Sequence, residues 1–270
     1  MRSFWRTCLS TSLSVLILIV ISGCSKEDNN PTGSSPSDAS LWIHIDGDST
    51  QVMFADLPKI TADGAEAIQL SEFVDTTLIP IFEDRDSVLY DTRPLYAYQI
   101  IGADGFSASG SRGYPDNIWE HMTLGYILAS TKRAIFPDEL IDLAGAYNVQ
   151  DVAKIRVHRK FDITWADSTT FVELKDVTSV QVTNPDGILE DALPLKDFVL
   201  PALSAPENSQ YNLRTLDDFG PSTDMTWTQF QTGYWLLSSE KTMFTDTTLT
   251  GGRYKLKVLE KILVNQVVNS

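Results

Sequence analysis

Cysteine is nearly missing from this chain of 270 residues: only Cys8 and Cys24 occur, both close to the start. Beyond residue 24 there is thus no disulfide, no thiolate nucleophile and no cysteine metal ligand. A core alone must hold the folded part, and roughly 230 residues are enough to build one. Histidine is scarce as well. His44, His121 and His158 stand at no ligand-like spacing, so the sequence carries no metal signature and the expectation is no metal and no cofactor. Basic residues fall short of acidic ones, 21 against 36, for a net charge of −15. That balance excludes the basic surface that nucleic acid requires. No G-x-S-x-G elbow surrounds any serine, so a triad of Ser109, His121 and Asp116 has no support. Asp46-Gly47-Asp48 and Asp217-Asp218 do not follow a twelve-residue calcium loop and read as turns.

The longest apolar run is short. Arg2 and Arg6 precede Leu13 to Ile21, a stretch too brief to span a bilayer comfortably, and Ile21-Ser22-Gly23-Cys24 follows. This is the pattern of a secretory signal peptide. The small residues before the cysteine resemble the lipobox of bacterial lipoproteins. The resemblance implies cleavage after Gly23, a signal peptide over 1–23 and lipidation of Cys24. Each buried methylene contributes about 0.8 kcal/mol, so several acyl chains make a firm membrane anchor. Ser25 in place of aspartate points, by analogy with enteric bacteria, to the outer membrane over the inner. Residues 25–40 are rich in Ser, Asn, Pro and Gly and lack apolar periodicity, so 24–40 reads as a lipidated cysteine and flexible tether.

The remainder can be laid over itself. Trp119-Glu-His-Met-Thr-Leu-Gly-Tyr matches Trp227-Thr-Gln-Phe-Gln-Thr-Gly-Tyr, with Phe136 and Phe244 at equal distances beyond. Val52-Met-Phe-Ala-Asp56-Leu57 matches Val172-Glu-Leu-Lys-Asp176-Val177, and Leu70-Ser-Glu-Phe73-Val74 matches Leu195-Lys-Asp-Phe198-Val199. Tyr98 and Asp104 pair with Tyr211 and Asp217. The chain therefore reads as two tandem pseudo-symmetric units, 41–163 and 164–270. The junction around Arg159 to Trp165 has no Pro, Gly or Ser-rich linker, so the units are expected to pack together.

Within a unit, short strands and short helices intermix. Trp42–Ile45 and Gln51–Phe54 read as strands around the Asp46-Gly47 turn, Leu70–Val74 as a short helix, and Leu95–Ile101 as a strand. A short helix starts near Asn117 with Ile118, Trp119 and Met122 inward. Gly125–Ala129 and Val152–Val157 follow as strands, and the fold class is α+β. The order of Val52–Leu57, Leu70–Val74, Ala103-Asp104-Gly105-Phe106-Ser107, Leu128-Ala129 and Val152–Val157 resembles the molybdopterin-binding domain of sulfite-oxidase-type oxidoreductases. The resemblance implies that fold. It also implies molybdenum on a cysteine thiolate, which the chain beyond Cys24 cannot supply, so no catalytic residue carries over and fold alone confers no activity.

What differs between the units is a loop. Ser107 to Ile118 is longer than its counterpart after Phe219, and its glycines and serines allow backbone to approach a ligand. Arg112, Tyr114, Asp116, Trp119 and His121 are the candidate ligand-binding residues; His121 stands where the second unit has Gln229. His158, beside Arg156, Arg159 and Lys160, reads as a solvated strand end. The expectation is a non-catalytic, lipid-anchored envelope protein that binds a small molecule, a glycan or a protein partner. The alternatives are an oxidoreductase with molybdopterin or another redox cofactor, and a structural outer-membrane lipoprotein.

Overall fold

The computed structural model describes residues 39–84, 86–137, 144–166 and 168–266. The apolar leader, Cys24 and nearly all of the expected tether lie outside the described residues. Among the described residues no helix is long and apolar enough to cross a membrane. Ser40, expected in the tether, is already the first residue of a strand.

A hairpin opens the fold. Strand β1 (Ser40–Ile45) pairs antiparallel with β2 (Asp48–Met53), Ile45 opposite Asp48. Asp46 and Gly47 connect them at φ of 47° and 96°. Two successive left-handed residues give a tight turn whose twist matches that of the strands. The chain continues through β3 (Ile60–Ala62) and β4 (Ala65–Gln69) into a 3₁₀ turn at Leu70–Val74 that buries Leu70, Phe73 and Val74. A two-stranded ribbon, β5 (Phe82–Glu83) and β6 (Leu89–Tyr90), precedes the long strand β7 (Tyr96–Gly102). Helices α1 (Ala108–Arg112) and α2 (Trp119–Leu124) lead to β8 (Tyr126–Leu128) and β9 (Arg133–Ile135). One turn of helix, α3 (Ala144–Tyr147), precedes β10 (Val152–Trp165).

A similar but shorter order of elements follows. Strand β11 (Ser168–Glu173) forms a hairpin with the end of β10, Trp165 opposite Ser168. Next come β12 (Val180–Thr183), β13 (Leu189–Pro194), helix α4 (Lys196–Val199), β14 (Ser209–Thr215) and β15 (Met225–Thr226). Helix α5 (Trp227–Phe230), β16 (Gly233–Leu236), β17 (Lys241–Phe244) and β18 (Leu259–Gln266) complete the described chain. This is a strand-rich α+β protein with short helices.

Two small antiparallel sheets are wired alike, β3-β4-β8-β9 and β12-β13-β16-β17. The large sheet shows the same correspondence about β10. In its first stretch β10 lies parallel to β1, Ile155 opposite Ile43, and antiparallel to β7, Val157 opposite Tyr98. In its last stretch it lies parallel to β18, Ile163 opposite Ile262, and antiparallel to β11, Phe161 opposite Val172. β14 then pairs antiparallel with β18, Tyr211 opposite Val264, as β7 does with β10. The boundary expected between Ile163 and Thr164 falls inside β10, which does not stop at Val157.

Each stretch of β10 feeds its own core. Ile155 and Val157 join Leu41, Ile43, Phe54, Phe73 and Tyr98 in one cluster. Phe161 and Ile163 join Phe198, Tyr211, Leu213 and Ile262 in another. Phe161 packs with its ring centroid 4.9 Å from Phe198 and 5.1 Å from Trp235, aromatic contacts beyond simple area burial.

Candidate functional site

The loop that sets the first half apart is partly helical. Ser107 caps α1, its Oγ accepting from Gly110 N at 3.0 Å, and Gly113 ends the helix at φ 71°. Arg112 sits at the exposed end of that turn with its guanidinium 5.4 Å from the Phe106 ring centroid. The chain then runs beside β7: Tyr98 N donates to Asn117 O at 2.8 Å, and Asn117 N to Tyr98 O at 2.9 Å. This bridge fixes Asp116 in a buried position, its side chain 2% exposed. Trp119 begins α2 with its ring 5.8 Å from Tyr98, under the Arg93 guanidinium 4.4 Å from its centroid.

Two cavities meet at Asp116. One, of about 620 Å³, has Ile118, Trp119 and His121 on one wall and Lys160, Asp162 and Phe171 on the other. The second, of about 500 Å³, is lined by Gln99, Ser109, Tyr114, Glu173, Lys175 and Val177. Pro115, Asp116 and Phe171 border both. The loop and α2 form one side, and β11, its following turn and the adjoining part of β10 form the other.

At the divide lies a polar cluster. Ligand-capable atoms of Asp116, His158 and Glu173 lie within 4.8 Å of one another, an arrangement with the donor types that hold a divalent cation. The Lys175 ammonium contacts Glu173 Oε2 and stands 3.7 Å from Asp116 Oδ2. Neither oxygen of Asp116 has a donor while Glu173 is ionised; a protonated Glu173 donates to it. Burial pushes the Glu173 carboxyl up, to about 7, with the Asp116 carboxylate adding to the effect and Lys175 opposing it. Burial draws His158 down, and the Lys175 charge adds to that. His121 is also drawn down by burial, and its Nδ1 is enclosed without a partner.

Of the residues singled out by sequence, Tyr114 and Asp116 line the smaller cavity, and Asp116, Trp119 and His121 the larger. Arg112 lines neither. His158, expected at a solvated strand end, is half-buried within β10. Sequence reasoning leaves out Phe171, Glu173 and Lys175, which reach the site only through the pairing of β11 with β10, and reads Lys160 only as part of a charged strand end. The one available signal is the internal comparison, in which Glu173 and Lys175 replace Met53 and Ala55.

A molybdenum centre of the kind implied by the sulfite-oxidase resemblance needs a thiolate. The described residues contain no cysteine, and the cleft presents carboxylates, imidazole and ammonium instead, so it does not fit that group. Comparison with protein-family models, with curated proteins and with solved structures finds no match to this chain.

Proposed function

We propose that this protein is a lipid-anchored envelope module, held through Cys24, that binds a small molecule or glycan in the cleft between its halves. The observation that carries this reading is the cavity of about 620 Å³ with Trp119 of one half and Phe171 of the other in its walls. That volume falls within the roughly 300–1,000 Å³ of small-molecule sites. Two aromatic side chains supply apolar surface, and a buried carboxylate at the rear supplies a polar anchor. We also infer that the halves derive from one duplicated unit of sulfite-oxidase-like order. The matched wiring of the two small sheets supports the duplication. So do Tyr98 and Tyr211, which each donate Oη to a carbonyl five residues upstream at 2.7 Å.

The test is the native mass of protein purified from its own envelope, set against its denatured mass. A retained ligand in the parent chain that is lost in Trp119→Ala/Phe171→Ala supports the reading. Retention undiminished in that double variant would sink the cleft assignment. The anchor is tested separately by incorporation of labelled fatty acid, which Cys24→Ala should abolish.

A further inference from the structure

The strand registers give the cluster at Asp116 an internal control. Tyr98 bridges to Asn117 as Tyr211 pairs with Met225, so the preceding residues, Asp116 and Asp224, occupy equivalent places. Val157 faces Tyr98 as Val264 faces Tyr211, so His158 corresponds to Asn265, and Gln99 to Asn212. In the second half the carboxylate is closed off by amides. Asn212 Nδ2 donates to Asp224 Oδ1 at 2.6 Å, and Asn265 Nδ2 donates to Oδ2 at 2.8 Å.

The first half lacks both caps. Gln99 turns away and donates to Ser109 Oγ at 2.9 Å, and an imidazole stands where the second capping amide would be. Asp116 is left with a side chain 2% exposed and, while Glu173 is ionised, no donor to either oxygen. Glu173, also buried, adds a second carboxylate. The only ammonium described in contact with the pair belongs to Lys175, whose side chain is 43% exposed and free to move out along its flexible stem. With both carboxylates ionised, one mobile ammonium leaves a negative charge that the interior disfavours, and either a proton on Glu173 or a further cation offsets it.

We infer that Asp116, His158 and Glu173 form a site for a divalent transition-metal ion, zinc in the first instance, which displaces the Lys175 ammonium on binding. The donor set selects the class. Imidazole with two carboxylates suits zinc or manganese, whereas calcium and magnesium favour all-oxygen shells. Zinc binds such atoms at about 2.0–2.2 Å, so its ligands stand roughly 3–4 Å apart. The donor atoms already lie within 4.8 Å of one another. Three protein ligands would leave a fourth coordination position for water or a bound group. The metal site shares that residue with the proposed ligand cleft but does not depend on it: metal binding survives Trp119→Ala/Phe171→Ala, whereas cleft binding does not.

The experiment is equilibrium dialysis of the untagged full chain against zinc, with elemental analysis, and cobalt(II) substitution read by visible absorption. The expected result is one metal per chain. It weakens at least tenfold in Asp116→Asn and in Glu173→Gln, is unchanged in the control Asp224→Asn, and tightens in Lys175→Met. Circular dichroism of each variant separates loss of site from loss of fold. Absence of stoichiometric zinc or cobalt binding by the parent chain would overturn the inference without any variant. So would binding that persists in a folded Asp116→Asn/Glu173→Gln chain, and an unchanged affinity in Lys175→Met would overturn the displacement.

Discussion

The guanidinium of Arg159 donates to the carbonyl oxygen of Leu259, a hundred residues further along the chain, while its other nitrogen reaches Leu95 O at 2.8 Å. One side chain thus ties the backbone of the first half to that of the second. Enclosure lowers its pKa to about 10, which leaves it ionised at neutral pH. Arg159→Met keeps the stem and strands these carbonyls. The expected loss is about 2–4 kcal/mol, since bonds to a charged donor are worth more than neutral ones. Urea unfolding should show a lower midpoint at an unchanged slope.

The matched wiring of the two small sheets makes a paired prediction at two glycines. A Cβ on Gly125 would lie 2.6 Å from Phe136 and 2.7 Å from Leu70; on Gly233 it would lie 2.6 Å from Phe244 and 2.8 Å from Leu195. Overpacking of this kind costs about 1–3 kcal/mol. Gly125→Ala and Gly233→Ala should therefore destabilise by similar amounts in thermal melts. A neutral effect at one beside a large effect at the other would break the correspondence.

A second pair is the buried tyrosines. Tyr98→Phe and Tyr211→Phe each keep the ring but leave the carbonyl of Arg93 or Pro206 without its donor. Each should cost roughly 1–2 kcal/mol by chemical denaturation. The two changes should add in the double variant, because they lie in separate cores.

Acid should act through two aspartate turns. Asp75 Oδ1 accepts from Thr77 N at 2.8 Å and Oγ1 at 2.7 Å, and Asp246 Oδ1 accepts from Thr248 at the same distances. The Thr248 bonds hold Asp246 below the ordinary carboxylate range; at Asp75 burial pulls upward and the Thr77 bonds outweigh it. A depressed folded-state pKa contributes stability that is present above the unfolded value, about 3.9, and is lost as pH falls through the folded one. An NMR titration should find both groups below about 3.9, and Thr77→Val or Thr248→Val should bring the affected aspartate back toward it.

Local features were legible in the sequence where local chemistry decides them. Asp46-Gly47 specifies its hairpin because two left-handed residues are needed there. Leu95–Ile101 reads as a strand and forms one over Tyr96–Gly102, displaced by a single residue. The end of β10 was not legible. His158-Arg159-Lys160 looks like a charged strand terminus, yet Arg159 spends its donors on carbonyls and buried Lys160 pairs with Asp162, so the strand continues to Trp165. Asp116 and Trp119 stand out because their loop differs between halves. Glu173 and Lys175 differ as well, but only the docking of β11 beside that loop brings their charges to Asp116, and no local pattern encodes that contact.

Strand β10 has a consequence for anyone who would divide this protein. A gene split between Ile163 and Thr164 severs one strand two residues before its end. The first fragment would end in Lys160 to Ile163, stripped of β11 and β18 and showing bare backbone edges with Phe161 and Ile163 attached. The second would lose the strand on which its hairpin is built. Such pieces should cling to each other or to further copies of themselves, so exchange of halves between molecules is the natural failure of this architecture, and independent expression of either half its least promising use.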